Sequence, residues 1–213
     1  MCVIVDQEII LVGYGGNSFL MIEIFQSAGA KVKYYLDTCR KENNPYQLDY
    51  LGNEDGINFE NLKKYKLIST IGNNIKRKKT QLDLANRGFD FINCIHQSAV
   101  VSRSSIIGKG IFVSANATIN PLSKIGNGVI CNSLSVVEHE TIIHDFVHIG
   151  PGAVICGNVS IGACSFIGAG AVIKQGVKIG KNVVVGAGAV VLKDLPDDNT
   201  VVGVPAKNIV HKF

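Results

Sequence analysis

Three things are scarce in this sequence. The formal charge over 213 residues is only +4, too small to argue for a polyanionic partner such as nucleic acid, although it would suit an anionic small ligand. No Cys-x-x-Cys spacing occurs among the six cysteines, Cys2, Cys39, Cys94, Cys131, Cys156 and Cys164. Most of them sit among aliphatic residues, which reads as reduced, buried thiols used for packing rather than as a staple or a metal site. The opening "MCVIVDQEIILVG" has no basic stretch before it and is broken by Asp6, Gln7 and Glu8, so it fits neither a signal peptide nor a membrane span. A soluble, cytoplasmic protein is expected, with no membrane partner. The sequons at Asn116 and Asn158 are then uninformative, since glycosylation needs a secretory route. What is abundant is apolar: 46% hydrophobic residues are ample for one large core or two small ones.

The first ninety or so residues alternate between short apolar runs and helical spacing. "EIILVG" reads as a buried strand, and Gly13, Gly15 and Gly16 as a turn. "NSFLMIEIFQSAG" follows as a helix with Phe19, Ile22, Glu23 and Gln26 on one spacing, Asn17 or Ser18 as cap and Gly29 as stop. "KVKYYLD" and "YKLISTIG" read as two more strands, and "NNIKRKKTQLDLANRG" as a helix closing on Gly88. This predicts a small open α/β sheet of Rossmann-like character over residues 1–92. The GxGG turn after a strand suits phosphate at a helix N-terminus, and Asp37 ends the second strand where an acid often meets a ribose or base. A tight packing turn explains the same glycines equally well. "KRKK" at 76–79 reads as a solvated helix face.

From Ile95 the period changes. Isoleucine, valine or cysteine occupies seventeen consecutive positions at a spacing of six, from Ile95 to Val191. Glycine often follows, as in Ile149-Gly150 and Ile167-Gly168, and a small or β-branched residue often stands four places on, as at Ala117, Ser135 and Thr141. An inward aliphatic and a tight corner every six residues predict a parallel β-helix over residues 93–213, with three hexads to a coil. Residues eighteen apart then stack. His139 falls under Gly157, whose bare backbone N–H could serve as an oxyanion donor. Ala169 falls over Pro151 and under Ala187, a column of small residues against which a thin ligand could lie. Tight corners alone also favour small residues. His139 is bracketed by Glu138 and Glu140, and a carboxylate beside an imidazole orients it and raises its basicity. His144 reads as a bystander satisfied by Asp145.

"IGAGAVIKQGVKIGKNVVVGAGAVVLKDLP" and "VVGVPAKNI", with "GYGGNS", "STIGNN" and "VVEHE", resemble the left-handed β-helix acetyltransferases of the sialic-acid and bacillosamine pathway type. The resemblance covers nearly the whole chain. It implies an α/β plus β-solenoid protein, a homotrimer with active sites between subunits. The implied activity is acetyl-CoA-dependent N-acetylation of a nucleotide-linked amino sugar, UDP-linked and aminated at carbon 4. It further implies His139 as general base, Glu140 as its tuner, Gly157 as oxyanion donor, and acetyl-CoA contacts at His148, Ala169 and Ala187. Acceptor contacts fall on Gly15, Gly16, Asn17, Asp37, Thr38, Gly72, Asn73 and Asn132, and Arg77 follows on the helix. Asn17 stands where a histidine is common and Thr38 where a second acid is.

No cysteine or serine is paired with a histidine by a recognisable motif, which favours direct transfer over a covalent intermediate. O-acetylation of sialic or related acids fits the same architecture. β-Helix carbonic anhydrases bind zinc through three histidines, and His139 and His144 resemble part of that set. The third position holds Arg103, so no metal is expected. A sugar-nucleotide binding module without catalysis is the remaining class.

Overall fold

The computed structural model describes residues 8–53 and 59–209, and the chain divides into two compact units, Met1–Ile95 and His96–Phe213. In the first unit β1 (Glu8–Val12), α1 (Gly16–Ser27), β2 (Lys31–Leu36), β3 (Asp49–Tyr50), β4 (Lys66–Ser69) and α2 (Asn74–Asn86) follow in order. Their sheet runs β3-β2-β1-β4, parallel throughout. Buried Ile10, Val12, Leu36, Leu67, Leu84 and Phe89 form a core with Tyr65 and Phe91. Because β1 is flanked by β2 on one side and β4 on the other, the chain leaves it in opposite directions. A crevice therefore opens at the carboxyl ends of the strands, where open α/β sheets receive ligands.

Two details differ from expectation. The two-residue edge strand β3 carries no periodicity that sequence could reveal. Helix α1 starts after Gly15 rather than at Asn17 or Ser18: Ser18 is in its first turn and its Oγ accepts the Gly15 N–H at 2.8 Å. The helix buries Ser18, Met21, Ile22, Ile24 and Phe25, whereas Glu23 reaches out to the Tyr46 hydroxyl at 2.7 Å.

The second unit is a β-solenoid. From Cys94 to Val191 its strands are two residues long and pair in parallel with those eighteen residues away, as Ile130 with His148 and His148 with Phe166, or Val136 with Val154; Thr200–Val202 closes the stack and pairs antiparallel with Lys207–Asn208. The inward wedges Val137, Ile143, Ile149, Ile155, Ile161 and Ile167 are fully or almost fully buried, so each coil's apolar surface is removed from water by its neighbours. Ala117, Ser123, Ser135 and Thr141, each four places after a wedge, are buried too, and two of the hydroxyls meet carbonyls fifteen residues on: Ser123 Oγ donates to Glu138 O at 2.9 Å and Thr141 Oγ1 to Cys156 O at 3.2 Å. From Gly110 to Gly188 each corner's second residue takes a left-handed backbone, including Glu140 at φ 58° and Asn158 at φ 55°. The corners, more than the strands, thus dictate where side chains project.

Candidate functional site

His139 and Glu140 are the two residues of one corner, and Gly157 and Asn158 form the corner stacked on it. The Asn158 N–H donates to the His139 carbonyl at 2.9 Å. A Cβ on Gly157 would lie 2.6 Å from His139 Cε1 and 2.7 Å from Nε2, so the glycine leaves room for the imidazole itself. The ring fills the space that a side chain there would take. Among the described residues the Gly157 N–H has no acceptor. Glu140 Oε2 lies 3.1 Å from His139 Nδ1. Both side chains are about half exposed, at 51% and 59%, so the pair contributes little to stability. Its consequence is orientation. A carboxylate on Nδ1 fixes the proton there and leaves Nε2 as the basic nitrogen, beside Gly157.

His148 lies on the third side of the coil, outside the two sides that meet at the His139 corner, half-buried, with its ring edge-on to Phe166 at 5.1 Å. Ala169 and Ala187 are exposed at the first positions of their corners, stacked on Pro151: Gly170 N–H donates to Pro151 O and Gly188 N–H to Ala169 O, each at 2.8 Å. Asn132 is half-buried, its Oδ1 taken by the Ser133 N–H at 2.9 Å. Asp145 does not turn to His144 as expected, because its Oδ1 accepts the Asn127 N–H at 2.7 Å; His144 is exposed. No group of three or more His, Cys, Asp or Glu side chains that could hold a metal ion occurs among the described residues.

The first unit carries a cavity of about 510 Å³ at the crevice between β1, β2 and β4. Its walls are the loops after those strands. They supply Gly15, Gly16 and Asn17, then Asp37 and Thr38, then Gly72, six of the residues expected to meet the acceptor. Asp37 is the organiser. Its Oδ2 accepts the Tyr14 N–H at 2.9 Å, its Oδ1 accepts the Thr38 N–H at 2.7 Å, and Lys41 Nζ lies 3.2 Å from Oδ1. Burial by itself would raise its pKa, but those two N–H groups and Lys41 outweigh it and hold the carboxyl below the ordinary carboxylate value. Neither Gly15 nor Gly16 is required by the protein's own packing. Gly15 is extended, at φ −174°, and a Cβ on either residue would meet nothing within 4 Å. The space beside them is open to a ligand.

Comparison with known proteins places these features in a family. The bacterial transferase hexapeptide (six repeats) family matches residues 140–175 and 158–193, and the PglD N-terminal domain family matches residues 8–84. A histidine-to-asparagine variant of the perosamine N-acetyltransferase from Caulobacter crescentus, solved with CoA and GDP-perosamine, is 34% identical over 96% of this chain and 98% of its own, with a TM-score of 0.90. The chain belongs to the left-handed β-helix amino-sugar N-acetyltransferases. Another similar member is the acetyltransferase domain of PglB from Neisseria gonorrhoeae, solved with acetyl coenzyme A: 34% identity, 95% and 99% of the two chains, TM-score 0.89. A GDP-perosamine N-acetyltransferase from Escherichia coli is 37% identical over 100 residues, which span 47% of this chain and 45% of that enzyme.

In this acetyltransferase, two of the residues singled out from sequence bond to the protein's own backbone. Asn73 caps α2, its Oδ1 accepting the Lys76 N–H at 2.9 Å. Arg77 is buried, at 1% exposure. Its Nη1 donates to the Ile71 and Gly72 carbonyls, at 3.0 Å each, and its Nη2 to Asn74 Oδ1 at 2.8 Å. It therefore shapes the cavity wall from behind. Lys41, Lys76, Tyr14 and Thr70 line the cavity and were missed from sequence. Lys76 could have been singled out as the first-turn cation of a helix that begins at the crevice. Of the cysteines, Cys94, Cys131 and Cys164 are buried, and burial pushes the Cys131 thiol up to about 12. Cys39 is exposed and is not a packing residue; Cys2 lies outside the described residues.

Proposed function

We propose that the protein transfers the acetyl group of acetyl-CoA to the amino group of a nucleotide-linked amino sugar, with His139 as general base. The observation that carries this reading is the corner itself: an imidazole oriented by Glu140 through Nδ1, its Nε2 beside a glycine whose N–H is unspent. A sugar amine titrates near neutrality, by analogy with an α-amino group at about 7.7 to 8.0. The amine nitrogen attacks the thioester carbon while His139 Nε2 takes the proton the nitrogen loses. The carbonyl oxygen becomes an oxyanion that the Gly157 N–H accommodates. Collapse breaks the C–S bond, and the departing CoA thiolate takes the proton back from the imidazolium. No covalent enzyme intermediate is involved.

The acceptor's nucleotide is held in the cavity of the α/β unit, on Gly15, Gly16, Asn17, Asp37, Thr38 and Gly72, with the acyl donor along His148, Ala169 and Ala187 and the acceptor near Asn132. UDP is the expected nucleotide; GDP is the one named in the perosamine relatives. The assembly is a homotrimer. Val100, Ile106, Leu122 and Leu134 project from the prism at 60% to 63% exposure, apolar surface of the kind that subunit contacts cover. Replacing the base tests the reading: His139→Ala is expected to slow CoA release about 10²- to 10⁴-fold with the fold intact. Near wild-type turnover in that variant would refute the assignment.

A further inference from the structure

The cavity of the α/β unit is rich in donors and poor in free acceptors. Thr70 Oγ1 donates to the Gly13 carbonyl at 2.7 Å, the Ser18 N–H to Gly15 O at 2.9 Å and Asn17 Nδ2 to Thr70 O at 3.4 Å. Arg77 draws back the carbonyls of Ile71 and Gly72. The one acid in the wall, Asp37, is paired with Lys41 at 3.2 Å. Lys76 is different: its backbone N–H is taken by Asn73, and its ammonium has no partner among the described residues. The cavity is thus neutralised at the β2 end and carries an uncompensated positive charge at the α2 end. The open approach over Gly15 and Gly16 leads to the first turn of α1, whose N–H groups also favour an anion.

We propose that Lys76 is the phosphate-end cation of this cavity. It meets the terminal phosphate of a nucleoside diphosphate group, with the nucleoside lying toward the Asp37–Lys41 pair, and it makes the site prefer diphosphates to monophosphates. This rests on the reading of the cavity as the nucleotide site. The test is calorimetric titration of the full-length protein and its Lys76→Met and Lys76→Arg variants with UDP, GDP, UMP and GMP. Wild type is expected to bind a diphosphate at least about tenfold more tightly than the matching monophosphate, the worth of one charge-assisted contact. Lys76→Met should abolish that preference while leaving monophosphate affinity within about twofold, and Lys76→Arg should retain it. If Lys76→Met keeps the preference, or weakens both classes equally, the role of Lys76 is overturned and the nucleotide site stands. If wild type binds none of the four, both readings fall.

Discussion

A methyl group on Gly168 of the prism would sit 2.5 Å from Ala187 N and 2.7 Å from the Gly186 carbonyl carbon; on Gly15 or Gly16 of the α/β unit it would meet nothing within 4 Å. The first glycine is demanded by the protein's own backbone, because adjacent coils approach too closely for a side chain. The other two are demanded by nothing the protein contains. Gly157 is a third kind: the atoms a methyl would strike belong to the movable His139 ring. One residue type therefore marks close packing, ligand space and the placement of a base, and the three roles separate by what lies opposite.

That comparison can be broken by substitution. Gly157→Ala is expected to have the largest effect on turnover. The ring must shift by an ångström or so, and a misplacement of about 1 Å costs on the order of 10²-fold; denaturant midpoints should stay put, since a side chain moves rather than a backbone. Gly168→Ala should do the reverse, losing about 1–3 kcal/mol of stability as an overpacked site does, read from urea unfolding. Gly16→Ala is next. Alanine suits a helix better than glycine, so thermal stability should hold or rise while UDP or GDP affinity falls about tenfold. A variant that unfolds would show that the α1 glycines are structural after all.

The smallest effect concerns Asp37. Its folded pKa lies below its ordinary value, so the stabilisation from its ionised form is fully present above about pH 3.9 and is lost as pH falls through the lower folded value. Asp37→Asn should therefore cost stability by a constant amount near neutrality, and the gap to wild type should narrow only in acid. A gap independent of pH down to pH 2 would contradict the bonding described for this carboxylate.

The prism was legible because one period governs it. Once eighteen residues make a coil, counting alone puts His139 beneath Gly157 and lines up Pro151, Ala169 and Ala187. Counting could not say that the imidazole fills the glycine's space, nor that Asp145 turns to Asn127. The α/β unit was legible as elements but only partly as a site. Its cavity wall is set by which loops leave the carboxyl ends of β1, β2 and β4, and no local pattern encodes that. In "KRKK" adjacent cations look alike, yet a helix turns each by about 100°: Arg77 points into the protein and binds carbonyls, whereas Lys76 lines the cavity. The buried face of α1 was likewise decided by the sheet it covers, which left Glu23 and Gln26 outside.

The most direct test of the proposed activity is CoA release from acetyl-CoA by the wild-type protein, measured against UDP-, GDP- and dTDP-linked amino sugars and against free sialic acids. Release that depends on a nucleotide-linked amine is the predicted result, with the preferred nucleotide also the one that binds the full-length protein most tightly. Preference for the free acids would contradict N-acetylation and assign the prism to O-acetyl transfer instead.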